Sequence, residues 1–130
     1  MIEVVCALIQ RDRKLLVAKR AVGQSMAGKW EFPGGKLRAG ETPRKAIVRE
    51  IMEELGCTIE VRSALPVNEH HYCDFSIRLI PFVCRLTAGE PEALEHEEIN
   101  WASLAQLRNF DWTAADIPIL DTYLREVSRP

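Results

Sequence analysis

Residues 35–57, GKLRAGETPRKAIVREIMEELGC, constrain this chain more than any other stretch. Thr42-Pro43 is a strong helix start: a side-chain cap, then a proline whose missing N–H costs nothing in the first turn. Gly56 is a strong stop, so a helix is predicted over Pro43–Leu55. At about 100° per residue, Ile47, Val48, Ile51, Met52 and Leu55 share one arc. Glu50, Glu53 and Glu54 share the opposite arc, with Arg49 at its edge. These three glutamates stand at i, i+3 and i+4, where like charges are neighbours and repel. Glu41 adds a fourth carboxylate from the preceding loop, and Gly34-Gly35 lets the backbone come close. Such an arrangement is costly unless a cation neutralises it. Oxygen ligands suit Mg²⁺, which keeps waters and takes the phosphates of its substrate. The segment therefore points to a magnesium site for phosphate chemistry.

The rest of the chain bounds that reading. With 130 residues, 47% hydrophobic and 28% charged, it has the balance of one ordinary globular domain, expected to span residues 1–130. A net charge of −2 gives no support for binding long nucleic acid or an anionic membrane. The opening MIEVVCALIQ lacks the pattern of a secretion signal, and no apolar stretch approaches membrane-spanning length. Cys6, Cys57, Cys73 and Cys84 are widely spaced with no CxxC pair, so they read as small buried residues of a reducing compartment. A zinc site built from them with His70, His71 or His96 is disfavoured. A cytoplasmic location is expected.

Strands are predicted over Glu3–Gln10, Leu15–Lys19, Trp30–Phe32, Thr58–Val61, Leu65–Tyr72, Ser76–Leu86 and Ile99–Trp101. The first two join in a hairpin across Arg11–Lys14, and Leu65–Tyr72 pairs with Ser76–Leu86 across Cys73-Asp74-Phe75. A short helix is expected over Ser103–Leu107. A final helix, opened by a Thr113-x-x-Asp116 capping box, should run to about Glu126. The mixture of elements implies an α+β fold, a mixed β-sheet flanked by helices.

Gly35, five residues, Glu41, seven residues, then Arg49-Glu50-Ile51-x-Glu53-Glu54-x-Gly56 resembles the Nudix box. Cys57 stands where that box has a bulky aliphatic residue. The resemblance covers essentially the whole chain. KWEFPGGK at 29–36, the opening MIEVVCALI, LLVAKR at 15–20 and ADIPIL near the end are similar to MutT-like nucleoside triphosphate pyrophosphohydrolases, the opening and ADIPIL most of all to the branch described as CTP pyrophosphohydrolases. The resemblance implies an α/β/α sandwich and hydrolysis of a nucleoside triphosphate to the monophosphate and pyrophosphate with Mg²⁺ or Mn²⁺. It implies that Glu50, Glu53, Glu54 and the Gly35 carbonyl hold metal, and that Glu50 acts as, or orients, the base. Arg49 and Glu41 would order the carboxylates, and Lys36 would touch phosphate or orient the base. Of Glu95, Glu97 and Glu98, Glu95 has the spacing to Trp101 that fits a further ligand or auxiliary base.

The nucleobase must be held by residues outside the box: Arg20, Tyr72, Phe75 and Asp116 are the candidates. An aromatic ring can stack on a base. An ionised aspartate only accepts hydrogen bonds, so Asp116 would suit the exocyclic amine of cytosine, adenine or guanine. The expected substrate is CTP, dCTP or a modified cytosine nucleotide, with 8-oxo-dGTP as the alternative. A non-catalytic nucleotide-binding module is the alternative from another class, and the chain is expected as a monomer or homodimer.

Overall fold

The computed structural model describes residues 1–129; Pro130, where the expected domain span ends, lies outside them. β1 (Ile2–Arg11) is the central strand. Its residues alternate between two cores. Val5, Ala7 and Ile9 face one, while Cys6 and Leu8 face the other. That period of two is what a strand covered on both faces requires. Along one edge β1 runs parallel to β7 (Ser76–Ala88), from Ile2↔Ile77 to Gln10↔Arg85.

The other edge of β1 is shared. β2 (Lys14–Lys19) pairs with it only at Gln10↔Leu15 and Arg11↔Lys14, across a turn in which Asp12 and Arg13 have φ of 50° and 64°. Such a left-handed pair matches the twist of a two-residue hairpin. Further along, β1 pairs with β4 (Gly34–Lys36) through Val4↔Lys36, Val5↔Gly35 and Cys6↔Gly34. β2 is shared in the same way. β8 (Glu98–Ser103) lies along the whole of one edge, and β3 (Trp30–Glu31) joins the other at Ala18↔Glu31 and Lys19↔Trp30. The strands of the opening hairpin thus diverge into a fork, and residues 30–36 are wedged into it.

The strand expected over Trp30–Phe32 stops at Glu31, and a further strand that was not expected follows Pro33. The backbone resumes pairing as β4 because glycine lets it sit against β1: a Cβ on Gly34 would overlap the Val5 carbonyl oxygen.

α1 (Pro43–Leu55) has the expected limits. Thr42 caps it by accepting the Lys45 N–H, and Gly56 ends it at φ 67°. Ala46, Ile47, Ile51 and Leu55 are buried against Val5, Ile9, Leu16 and Ile80. Met52, expected on the same arc, is instead 47% exposed, because it lies at the margin of that arc. Cys57 packs in this core, so its thiol fills the place of the missing aliphatic side chain. α2 (Ile117–Val127) covers the opposite face through Ile119, Leu120 and Tyr123. The result is the expected α+β sandwich: a mixed eight-stranded sheet between two helices.

Most strand limits shift from expectation by one to three residues, and two of the shifts are of three. β5 (Thr58–Ala64) continues past Val61, and β6 (Asn68–His71) begins only after Pro66. Both lie along the free edge of β7, which changes partner at Pro81. The Pro81 carbonyl accepts the Leu65 N–H toward that edge, so the absent proline N–H falls in the gap between partners. Where a helix was expected over Ser103–Leu107, Ser103 ends β8, residues 104–106 form a turn, and a single 3₁₀ turn follows at Leu107–Asn109. The expected Thr113–Asp116 capping box does not form; the Asp116 side chain makes no cap bond.

Candidate active site

The fork brings the Gly34-Gly35 backbone against the acidic face of α1. Gly34 N–H donates to Glu54 Oε1 at 3.0 Å. A Cβ on Gly35 would collide with the Glu50 carboxylate, so Gly35 is a cradle for that side chain. Arg49 organises the remainder. Its guanidinium donates to both oxygens of Glu41 at 2.7 and 2.8 Å, to Glu50 at 2.8 Å, to Glu53 at 3.2 Å and to the Lys36 carbonyl at 3.1 Å. Arg38 reaches Glu53 at 3.1 Å and donates its backbone N–H to Glu41. Hydrogen bonding from Arg49 holds the Glu41 carboxyl down at about 2.

Glu54 is the opposite case. Burial, then the charges of Glu31, Glu50 and Glu95, push it up to about 9 despite the Gly34 N–H. Among the described residues no three His, Cys, Asp or Glu side chains converge as a ready-made metal cage. Arg49 neutralises Glu50 and Glu53, and Glu54 is left as the electrostatically unrelieved carboxylate. A hard divalent cation fits this donor set: it would supply the charge that Glu54 lacks, with glutamate oxygens and a backbone carbonyl as ligands.

Of the three glutamates near 95–98, Glu95 is exposed and acts on Glu54. Glu97 pairs with Lys19 at 3.4 Å, and Glu98 is the first residue of β8.

A cavity of about 490 Å³ opens beside this face. Gly34, Gly35 and Lys36 belong to its wall, as do Arg20, Tyr72, Phe75 and Asp116. Tyr72 and Phe75 flank the β6–β7 turn with ring centroids 5.0 Å apart, and the Tyr72 hydroxyl accepts the Ala115 N–H. Asp116 is 6% exposed. Its Oδ2 accepts the Phe32 N–H at 2.7 Å, and its Oδ1 accepts the Thr113 hydroxyl at 2.9 Å. Burial and the charge of Glu31 raise its carboxyl to about 7, opposed by those two bonds and by Arg20.

Sequence reasoning missed two residues that the fold puts at the centre. Glu31 lies in the cavity wall, with one oxygen 2.8 Å from Arg20 Nη1 and the other 3.0 Å from His96 Nε2. The available signal was a charged residue between Trp30 and Phe32 in an otherwise apolar short strand. His96 is buried although it sits among charged loop residues.

Comparison with known proteins agrees with this geometry. The NUDIX domain profile matches residues 4–122. The chain is 36% identical over 124 residues to the CTP pyrophosphohydrolase of Escherichia coli K12, covering 95% of this chain and 92% of that protein. It is 36% identical over 109 residues to the 8-oxo-dGTP diphosphatase of the same organism, covering 84% of each. The solution structure of the E. coli ORF135 protein superposes with a TM-score of 0.86 at 35% identity, covering 100% of this chain and 94% of that one. Sequence motif, sheet topology and the carboxylate-bearing helix all agree: the chain belongs to the Nudix family and is a Nudix hydrolase.

Proposed function

We propose that the protein hydrolyses a nucleoside triphosphate to the monophosphate and pyrophosphate, with cytidine nucleotides as the preferred substrates. The observation that carries this reading is the continuity of one cavity from the Gly35 cradle of Glu50 to the buried carboxylate of Asp116. About 490 Å³ suits a small-molecule ligand held by an apolar wall and a few polar groups.

Glu50, Glu53, Glu54, Glu95 and the Gly35 carbonyl would hold Mg²⁺ or Mn²⁺. When bound, the cation neutralises the polyphosphate and lowers the pKa of water. The chain's own residues do the rest. Arg49 fixes Glu50 and Glu41, Lys36 stands in the cavity wall within reach of phosphate, and Glu50 orients or deprotonates the attacking water. Tyr72 and Phe75, in the same wall, would stack on a base. Asp116, ionised, accepts from an exocyclic amine such as the N4 amine of cytosine. The three buried, unpaired thiols of Cys6, Cys57 and Cys84 suit a reducing compartment, so the cytoplasm is the proposed setting. No helix among the described residues is long and apolar enough to cross a membrane.

Sanitation of 8-oxo-dGTP is the second reading, favoured by the same burial of Asp116, since a protonated carboxyl can donate to a purine carbonyl. A non-catalytic module is disfavoured because Glu50, Glu53 and Glu54 are all present. Pyrophosphate release measured with Mg²⁺ across normal and oxidised triphosphates tests the assignment. Turnover led by CTP or dCTP is expected, and background rates on every substrate would refute it.

A further inference from the structure

A hydrogen-bonded chain of side chains links the loop that carries Glu95 to the loop that walls the base pocket. It begins at His96, whose side chain is 3% exposed, one residue after Glu95. Nε2 lies 3.0 Å from Glu31 Oε2. A carboxylate only accepts, so the ring hydrogen sits on Nε2. Nδ1 is buried with no partner. An apolar residue of similar size would avoid that unmade bond, so the bond from Nε2 to Glu31 is what offsets it.

Glu31 passes the constraint on. Its Oε1 accepts Arg20 Nη1–H at 2.8 Å, and Arg20 Nε–H donates to the Ser25 carbonyl at 2.6 Å. Backbone bonds from Gly28 N–H to the Arg20 carbonyl and from Arg20 N–H to the Lys29 carbonyl close residues 21–28 on themselves. Ser25 and Met26 of that loop stand in the cavity wall. With both oxygens engaged from opposite sides, Glu31 cannot turn away, and Arg20 keeps the geometry in which it grips the loop.

We propose that His96 is a positioning residue, which fixes Glu31 and through Arg20 holds the 21–28 loop against the base pocket. This rests on the cavity being the nucleotide site. It assigns to His96 an effect on substrate binding rather than on chemistry, although its neighbour Glu95 acts on Glu54 at the reacting end.

His96→Gln and His96→Asn separate this role from simple packing. The glutamine amide reaches the position of Nε2, whereas the asparagine amide reaches only that of Nδ1. The Asn variant should raise KM for the best triphosphate roughly ten-fold, with kcat changed far less, and should speed amide hydrogen exchange in residues 21–28. The Gln variant should stay near wild type in both. Equal KM and equal exchange in the two variants would overturn the proposal, as would a lowered melting temperature with KM and exchange unchanged. If the Asn variant does not fold, Arg20→Lys interrupts the chain one step on, and unaltered exchange at 21–28 would be equally fatal. Exchange needs no substrate, so it tests the relay even if the wild-type protein turns over no triphosphate.

Discussion

Arg49 binds Glu41 through two parallel hydrogen bonds, at 2.7 and 2.8 Å, and this fork is the frame on which the other box carboxylates hang. Lysine keeps the charge but loses the fork, so Arg49→Lys should lower turnover roughly 10–100-fold. Glu41 titrates near 2 rather than at its ordinary 4.5. A lowered folded pKa contributes stability that is full above the unfolded value and lost as pH falls through the folded one. Glu41→Gln should therefore melt below wild type at neutral pH, with the two curves converging between pH 4.5 and 2. A separation independent of pH would contradict the pairing.

Replacing Glu50 or Glu53 with glutamine should cut turnover by at least roughly 100-fold while leaving the melting temperature near wild type. Glu54→Gln keeps an acceptor for the Gly34 N–H but removes the carboxylate, and should abolish any rise in melting temperature caused by Mg²⁺. Scanning fluorimetry with and without Mg²⁺ reads this directly; an undiminished rise would exclude Glu54 from the metal set.

Gly34 and Gly35 are adjacent but should fail differently. Alanine at 34 collides with the Val5 backbone, which cannot yield, and should cost about 3 kcal/mol or prevent folding. Alanine at 35 meets only the end of the Glu50 side chain, so the protein should fold and lose turnover. Urea titrations and pyrophosphate assays on the pair check both halves.

Asp116 carries a pH signature of opposite sign to Glu41. Its carboxyl is raised from 3.8 to about 7 by burial. The native state therefore keeps a proton that the unfolded chain has already released, and stability falls as pH rises through that window. An asparagine side chain in its place would satisfy Phe32 and Thr113 without titrating. Asp116→Asn should gain on wild type between about pH 4 and 7 by roughly a few kcal/mol, on the order expected for such a shift, and level off above. In the same substrate screen it should weaken the preference for cytidine nucleotides; an unchanged ranking would remove Asp116 from base selection.

Much of this was legible in the sequence because it is local. The limits of α1 follow from Thr42, Pro43 and Gly56, and the period of two in β1 marks a strand covered on both faces. What escaped depends on distant partners. Gly34-Gly35 reads as a turn until β1 is there to pair with it. Glu31 and His96 are 65 positions apart, and nothing local announces their contact. The Thr113–Asp116 spacing was a true signal attached to the wrong structure: the two side chains do bond, but to each other and to Phe32, instead of capping α2.

The fork between β1 and β2 separates two kinds of inheritance. The β1–β7 ladder and the two cores hold the molecule together and give the cavity its apolar wall, whereas Arg20, Tyr72, Phe75 and Asp116 lie outside that ladder. Arg20, Asp116 and the Tyr72–Phe75 turn hang from its margins, on loops and strand ends. Substitutions there can retune which nucleotide enters while the wedge of residues 30–36 keeps Gly35 under Glu50. A lineage built on this plan can change its diet without rebuilding its frame.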